Sequence, residues 1–113
     1  MRVWKRSFVK EMSNKIFSML GLATRSRNLV SGEFMTEKSV KEGRAHLVIV
    51  STEASDNTKK KFTNMCSFYE VPIYFYGTME ELGHCIGKEF RASAAVTDEG
   101  FARSIISRLE SEE

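Results

Sequence analysis

Short apolar segments alternate along the chain with longer amphipathic ones. The segment HLVIVS at 46–51 is nearly all apolar and rich in β-branched residues, which is typical of a strand covered by helices on both faces. Shorter apolar runs bounded by turn-forming residues predict further strands at 29–30, 73–76 and 94–96. Apolar positions at three- and four-residue spacing predict helices over about 14–23, 33–42, 56–69, 79–87 and 99–109.

This alternation predicts an α/β fold with a mixed or parallel sheet and helices on both faces. A chain of 113 residues is long enough for one compact domain with one core. We place that domain at residues 14–110. Residues 1–13 carry four basic residues and two large aromatics without a helical period, so we treat them as an N-terminal extension.

The common patterns of enzyme and metal sites are absent from the sequence. There is no P-loop and no GxGxxG, HExxH or GxSxG motif. Cys66 and Cys85 lack CxxC spacing, and His46 and His84 form no helical pair. His84 and Cys85 are neighbours, but adjacent helical side chains point about 100° apart and make a poor base and nucleophile pair. We therefore predict no enzymatic activity, no metal and no cofactor.

Hydropathy predicts no membrane partner. No apolar run approaches the roughly 20 residues that a bilayer-spanning helix needs, and residues 1–13 lack the apolar core of a signal peptide. We therefore expect a cytoplasmic protein.

The charges are distributed unevenly along the chain. Residues 1–61 hold 13 Lys and Arg against 6 Asp and Glu, a net charge of +7, whereas residues 62–113 hold 4 against 9, a net charge of −5. This asymmetry favours a basic face directed at a polyanion, although the fold could intermix the two halves.

The start of the second predicted helix is one place where a polyanion could bind. After the Gly32 turn, the first amides and the positive end of the helix dipole favour a phosphate, and Lys38 and Lys41 follow on the same helix. Lys59 and Lys60 belong to a second basic run, at the start of the next helix. Each feature has an ordinary alternative, namely a capped helix with a solvated lysine face.

The segment KEFR at 88–91 is a predicted loop with an aromatic residue among charged ones. Phe90 would either pack into the core or stack on an unpaired base, with Arg91 beside it to hold a phosphate. The residues alone leave both possibilities open.

Five features of the sequence occur in a specific order and spacing: MLGLATRSRNLVSGE, the spacing from Gly32 through Lys38 to Gly43, AHLVIVSTEAS, VPIYFYGTMEELGHCIGKEFR and AAVTDEGFA. Together they resemble the ribosomal-protein superfamily that binds RNA kink-turns, the L7Ae and L30e type, and in particular its small bacterial YlxQ-like branch. The resemblance covers about residues 14–110.

The resemblance implies a three-layer α/β/α sandwich with a mixed four-stranded sheet. It also implies that the start of helix two and the loop before the last strand grip a sharply bent RNA. In the L30e type an aromatic of that loop stacks on RNA, and Phe90 matches it. Carried onto this sequence, the contacts fall on Gly32, Phe34, Met35, Thr36, Lys38, Lys88, Glu89, Phe90 and Arg91.

Phe34 and Met35 depart from the pattern that the resemblance implies. Kink-turn binders of the L7Ae type carry an Asn-Glu pair at this place, which recognises tandem G·A pairs. Phe34 and Met35 cannot form those base-edge hydrogen bonds, while phosphate contacts could survive the change. Their apolar character also suits core packing or a protein partner.

We therefore predict a monomeric protein that binds structured RNA, such as ribosomal RNA, through a kink-turn or a related bend. It would be ribosome-associated or a paralogue of a ribosomal protein. The predicted RNA-binding residues are Gly32, Phe34, Met35, Thr36, Lys38, Lys41, Lys59, Lys60, Lys88, Glu89, Phe90 and Arg91. The alternative is a protein-interaction module with the same fold and no RNA ligand.

Overall fold

A computed structural model describes residues 15–111 of the chain. Helix α1 is described over residues 15–25. The other elements are β1 (Leu29–Ser31), α2 (Glu33–Lys41), β2 (Leu47–Val50), α3 (Asp56–Tyr69), β3 (Ile73–Phe75), α4 (Met79–Cys85), β4 (Ser93–Val96) and α5 (Glu99–Ser111). The predicted strands and helices are therefore all observed, while the predicted extension at residues 1–13 lies outside the described residues.

The four strands form one mixed sheet in the order β1-β4-β2-β3. Strand β4 is antiparallel to both β1 and β2, whereas β2 and β3 are parallel. Ser31 pairs with Ala94, and Val50 pairs with Ser93. The end of β1, from which α2 starts, therefore lies beside the start of β4, and this pairing positions the site described below.

Helices cover both faces of the sheet, as predicted. Residues of β2 alternate between two cores, because successive side chains of a strand point to opposite faces. Leu47 and Ile49 pack with α1, α4 and α5, whereas Val48 and Val50 pack with α2 and α3. The result is a three-layer α/β/α sandwich.

Strand β3 corrects one detail of the sequence analysis. The apolar run at 73–76 predicts a core strand, but β3 lies at the edge of the sheet, and Phe75 is 43% exposed. An edge strand has one unpaired side, so its side chains are covered less completely than those of β2 and β4.

Side chains cap three of the helices. Ser55 accepts a hydrogen bond from the Thr58 amide at the start of α3, and Thr78 forms a capping box with Glu81 at the start of α4. Asp98 accepts a hydrogen bond from the Phe101 amide in the first turn of α5. These caps satisfy amides that would otherwise lack a partner.

Within residues 15–111 no helix is both long enough and apolar enough to cross a bilayer.

Candidate functional site

The start of α2 and the loop between α4 and β4 (residues 86–92) meet at one end of the sheet. The Gly32 amide donates to the Ser93 carbonyl at 3.0 Å, and Nε of Arg91 donates to Oγ of Ser31 at 3.1 Å. Nη1 of the same arginine donates to the Phe90 carbonyl at 2.8 Å. The structure therefore brings together the two segments that the sequence analysis singled out, and Arg91 links them.

Helix α2 starts without a side-chain cap, unlike the three helices that follow it. Gly32 occupies the N-cap position with φ of 91°, a conformation that favours glycine, and no side chain of residues 15–111 caps the first amides. Those amides and the helix dipole present partial positive charge at the surface. This end of the helix can accept an anion.

The α4–β4 loop lies directly against helix α4 at Gly83. The Lys88 amide donates to the Gly83 carbonyl at 2.8 Å. A Cβ atom at Gly83 would lie 2.7 Å from the Glu89 carbonyl oxygen and 2.8 Å from Cα of Phe90. Only glycine therefore allows the loop to approach α4 this closely. Gly83 was not among the predicted site residues, although an isolated glycine within a helical pattern is a signal of a packing constraint.

Phe90 is 58% exposed, so the structure excludes the core packing that the sequence left open. The Arg91 amide donates to the Met79 carbonyl at 3.1 Å, which anchors the residue after Phe90 to the start of α4. The ring therefore stands on a loop that is anchored on both sides, by Lys88 and by Arg91. A fixed, exposed aromatic ring is suited to stacking.

Helix α2 exposes two apolar residues and buries a polar one. Phe34 is 73% exposed and Met35 is 42% exposed, so neither packs in the core. Thr36 is completely buried, and Oγ of Ser93 donates to its Oγ1 at 3.4 Å. The predicted RNA contact of the Thr36 side chain is therefore wrong, because this side chain joins α2 to β4 and does not reach the surface.

A network of ion pairs attaches α2 to α3. Nζ of Lys61 lies 2.9 Å from Glu33 and 2.7 Å from Glu37, and Lys41 also lies 2.7 Å from Glu37. Hydrogen bonds from Lys41 and then Lys61 lower the pKa of Glu37 from 4.5 to about 2. Hydrogen bonds to Glu37 and then Glu33 raise the pKa of Lys61. Much of the charge on Lys41 is therefore offset locally.

The remaining predicted lysines differ in position. Lys38 is exposed and forms no ion pair within residues 15–111, so its charge is available to a ligand. Lys61 faces α2. Lys60 and Lys59 precede it by one and two residues, so their side chains are rotated from it by about 100° and 200° around the axis of α3. Lys60 and Lys59 therefore do not share that side of α3. Lys88 is exposed on the α4–β4 loop.

We call Gly32, Phe34, Lys38, Phe90 and Arg91 together the junction surface. It combines uncapped helix amides, two exposed aromatic rings, an unpaired lysine and an arginine held by hydrogen bonds. This set can bind phosphate and stack on planar groups.

The described residues do not combine into a metal or thiol centre. No group of three or more potential metal-ligating side chains occurs among residues 15–111. Burial raises the pKa of the Cys66 and Cys85 thiols to about 11, so both stay protonated and unreactive near neutral pH.

A sequence model of the ribosomal protein L7Ae/L30e/S12e/Gadd45 family matches residues 14–106. The chain belongs to this family. A relative in Bacillus subtilis, strain 168, named RNA-binding protein YlxQ, is 47% identical over 94 residues, which are 83% of this chain and 94% of the relative. The sequence resemblance is therefore confirmed for both the superfamily and the YlxQ-like branch.

Two solved structures show how closely this fold is shared. A protein of unknown function from Bacillus halodurans C is 40% identical, with a TM-score of 0.83 over 85% of this chain and 97% of that one. The Giardia lamblia 15.5kD RNA binding protein has a TM-score of 0.75 at 21% identity, over 89% of each chain. The family is named for ribosomal proteins, and the Bacillus subtilis relative is named an RNA-binding protein. Neither is a class of enzymes, so the prediction that the protein is not an enzyme is confirmed.

Proposed function

We propose that this protein binds structured RNA through the junction surface. The observation that carries the proposal is the position of Arg91, which holds the α4–β4 loop against the start of α2. One nucleic-acid strand can then contact both segments together. Membership of the L7Ae/L30e/S12e/Gadd45 family and the name of the Bacillus subtilis relative support an RNA ligand.

Each part of the junction surface supplies a different kind of contact. The free amides that follow Gly32 in the first turn of α2 and the Lys38 ammonium hold phosphates, and the Phe90 ring stacks on a base that is not paired. Arg91 uses two of its five N–H donors inside the protein, so it also keeps donors for a phosphate. Affinity of this kind falls with salt, because each phosphate contact releases counterions.

The finer proposal is a kink-turn or a related bent RNA, bound by a cytoplasmic, ribosome-associated monomer. Its support is the family to which the chain belongs, which is named for ribosomal proteins. Phe34 and Met35 stand in place of the Asn-Glu pair, so this chain lacks the side chains that recognise G·A pairs. Recognition then depends on the shape of the RNA, its phosphates and stacked bases.

Binding to a standard kink-turn RNA and to a control with disrupted G·A pairs, over a salt series, tests the proposal. We expect salt-dependent binding by the natural chain and weaker binding by Phe90→Ala and Lys38→Ala. Preference for the intact RNA would support kink-turn recognition, and equal binding to both would support recognition of shape or charge. Unchanged affinity in both variants would refute the assignment of the junction surface.

A double variant separates docking geometry from base recognition. Phe34→Asn with Met35→Glu restores the polar pair at two exposed positions, so we expect the fold to tolerate it. If the junction surface holds RNA as proposed, the double variant discriminates between the intact and the G·A-disrupted kink-turn more strongly than the natural chain. If the ratio of affinities for the intact and the G·A-disrupted RNA is the same in the double variant and the natural chain, that docking geometry is contradicted.

A protein-interaction module is the second candidate, and the exposure of Phe34 and Met35 favours it. Burial of these side chains against a partner or a second copy is not screened by ions. This function predicts a dimer or complex that survives high salt and disappears in Phe34→Ala, as measured by light scattering.

A further inference from the structure

Phe34 and Lys38 form a continuous strip on the outer side of α2. The two residues are one helical turn apart, so their side chains are neighbours. Phe34 is 73% exposed, and Lys38 forms no ion pair within the described part of the chain. Both side chains line a shallow groove of about 310 Å³ together with Glu37, Lys41 and Glu42. The groove therefore has an aromatic wall and an unneutralised cation.

We propose that Phe34 stacks on an unpaired base, so that the ligand is an RNA that offers unpaired bases to Phe34 and to Phe90. This inference rests on the proposed RNA-binding function and defines its ligand. Lys38 holds a phosphate beside the base on Phe34. The free amides of α2 start next to the same ring, which places a second phosphate contact at the other end of the strip.

The surroundings of Phe34 favour a base over an apolar protein partner. Strong protein contacts usually centre on apolar side chains that are fully desolvated. Met35 is the other exposed apolar residue of α2, but it points about 100° away from Phe34 around the helix. The side chains that share the groove with Phe34 are all charged, and Lys38 is the one that forms no ion pair with residues 15–111. An aromatic ring next to a free cation suits a base and its phosphate.

Stacking also explains how this surface functions without the Asn-Glu pair. Every base has a π-face, so a stacked ring needs no particular base edge and tolerates changes of sequence. Two such rings, on α2 and on the α4–β4 loop, would select RNA for the presence and spacing of its unpaired bases. The RNA would be a loop, bulge or internal loop and not a continuous duplex.

Four single variants test the role of Phe34. Phe34→Ala removes the ring, Phe34→Tyr keeps its π-face, and Phe34→Leu keeps only its apolar character. Phe68→Ala is the matched control, because Phe68 is 79% exposed and lies near the end of α3, which leads to the opposite end of the sheet. The probes are an RNA hairpin with 2-aminopurine in its unpaired loop and a fully paired duplex.

We expect Phe34→Ala and Phe34→Leu to weaken hairpin binding by roughly fivefold or more, as for loss of a stacked base. Phe34→Tyr and Phe68→Ala should bind like the natural chain, and all proteins should bind the duplex weakly and equally. Stacking should quench the 2-aminopurine fluorescence, and Phe34→Ala should reduce that quenching.

Two results would overturn the inference and leave RNA binding intact. In the first, the Phe34→Ala protein has the same affinity for the hairpin as the Phe68→Ala protein, while the Phe90→Ala protein binds it more weakly. In the second, the Phe34→Leu protein binds the hairpin normally while the Phe34→Tyr protein binds it weakly, which would indicate an apolar contact in place of stacking. If the natural chain binds neither the hairpin nor the kink-turn RNA at low salt, the proposed function itself fails.

Discussion

Substitution of Gly83 by alanine should displace the α4–β4 loop without unfolding the protein. The added Cβ would lie 2.7 Å from the Glu89 carbonyl oxygen and 2.8 Å from Cα of Phe90. To reach a contact of 3.4 Å, these backbone atoms must move by more than half an ångström. The loop is the part that gives way, because Gly83 lies in a helix whose neighbour Leu82 is buried in the core.

The expected change in global stability is small, because two effects oppose each other. Extra atoms in a well-packed place typically cost about 1–3 kcal/mol, whereas alanine is about 1 kcal/mol more favourable than glycine inside a helix. The free energy of unfolding should therefore fall by roughly 0–2 kcal/mol. Loss of the stacking contact of Phe90 costs about 1–3 kcal/mol, so RNA affinity should fall by roughly 5- to 150-fold.

Three measurements check this prediction together. Urea unfolding gives the stability, hydrogen exchange at the Lys88 and Arg91 amides reports the position of the loop, and fluorescence anisotropy gives the affinity for the RNA hairpin. His84→Ala is the control, because His84 follows on the same helix with an exposed side chain. A Gly83→Ala protein with normal amide protection and normal affinity would refute the argument that this glycine positions Phe90.

Three further substitutions test the contacts around the site. Ser31→Ala removes the acceptor of Nε of Arg91 but no cation, so we expect weaker RNA binding with an unchanged salt slope; a reduced slope would contradict a positioning role. Thr36→Val leaves the buried Ser93 hydroxyl without its partner, so the free energy of unfolding measured in urea should fall by about 1–2 kcal/mol. The double variant Thr36→Val/Ser93→Ala should recover part of this loss. The lowered pKa of Glu37 means that its ionised form stabilises the protein above pH 4.5 and that this contribution is lost as pH falls through about 2. Glu37→Gln should cost roughly 0.2–1 kcal/mol near pH 7 and progressively less as pH falls toward 2. An equal effect of Glu42→Gln in pH-dependent urea titrations would count against the Lys61 network.

Local signals allowed the elements of the fold to be predicted with accurate bounds. The apolar run at 46–51 contains β2 (Leu47–Val50), and Ser55 caps a helix that ends at Tyr69, as its polar and apolar periods indicate. Capping and periodicity depend on residues a few positions apart, so they are visible in the sequence. The edge position of β3 depends on pairing between distant segments, and no local signal indicates it.

The sequence indicated the two segments of the site but not the orientation of their side chains. In α2 the apolar Phe34 faces solvent and the polar Thr36 is buried, which reverses the usual pattern. Burial of Thr36 is possible because β4 presents the Ser93 hydroxyl directly opposite, and that pairing joins residues 57 positions apart. The closeness of Gly83 to Phe90 likewise depends on the path of a loop, which sequence patterns do not specify.

Apart from Arg91, which serves both roles, the groups that assemble the junction surface are distinct from the side chains that we assign to the ligand. Assembly uses the bond between Gly32 and Ser93, the link between Arg91 and Ser31, and the ion pairs of Lys61. The side chains of Phe34 and Phe90 take no part in these contacts, and exposed positions of this kind usually change stability by no more than about 0.5 kcal/mol when substituted. A family member can therefore exchange a polar pair for Phe34 and Met35 and keep its fold. Because the scaffold is retained, our proposal attributes the exchange to the RNA that is recognised and not to the fold.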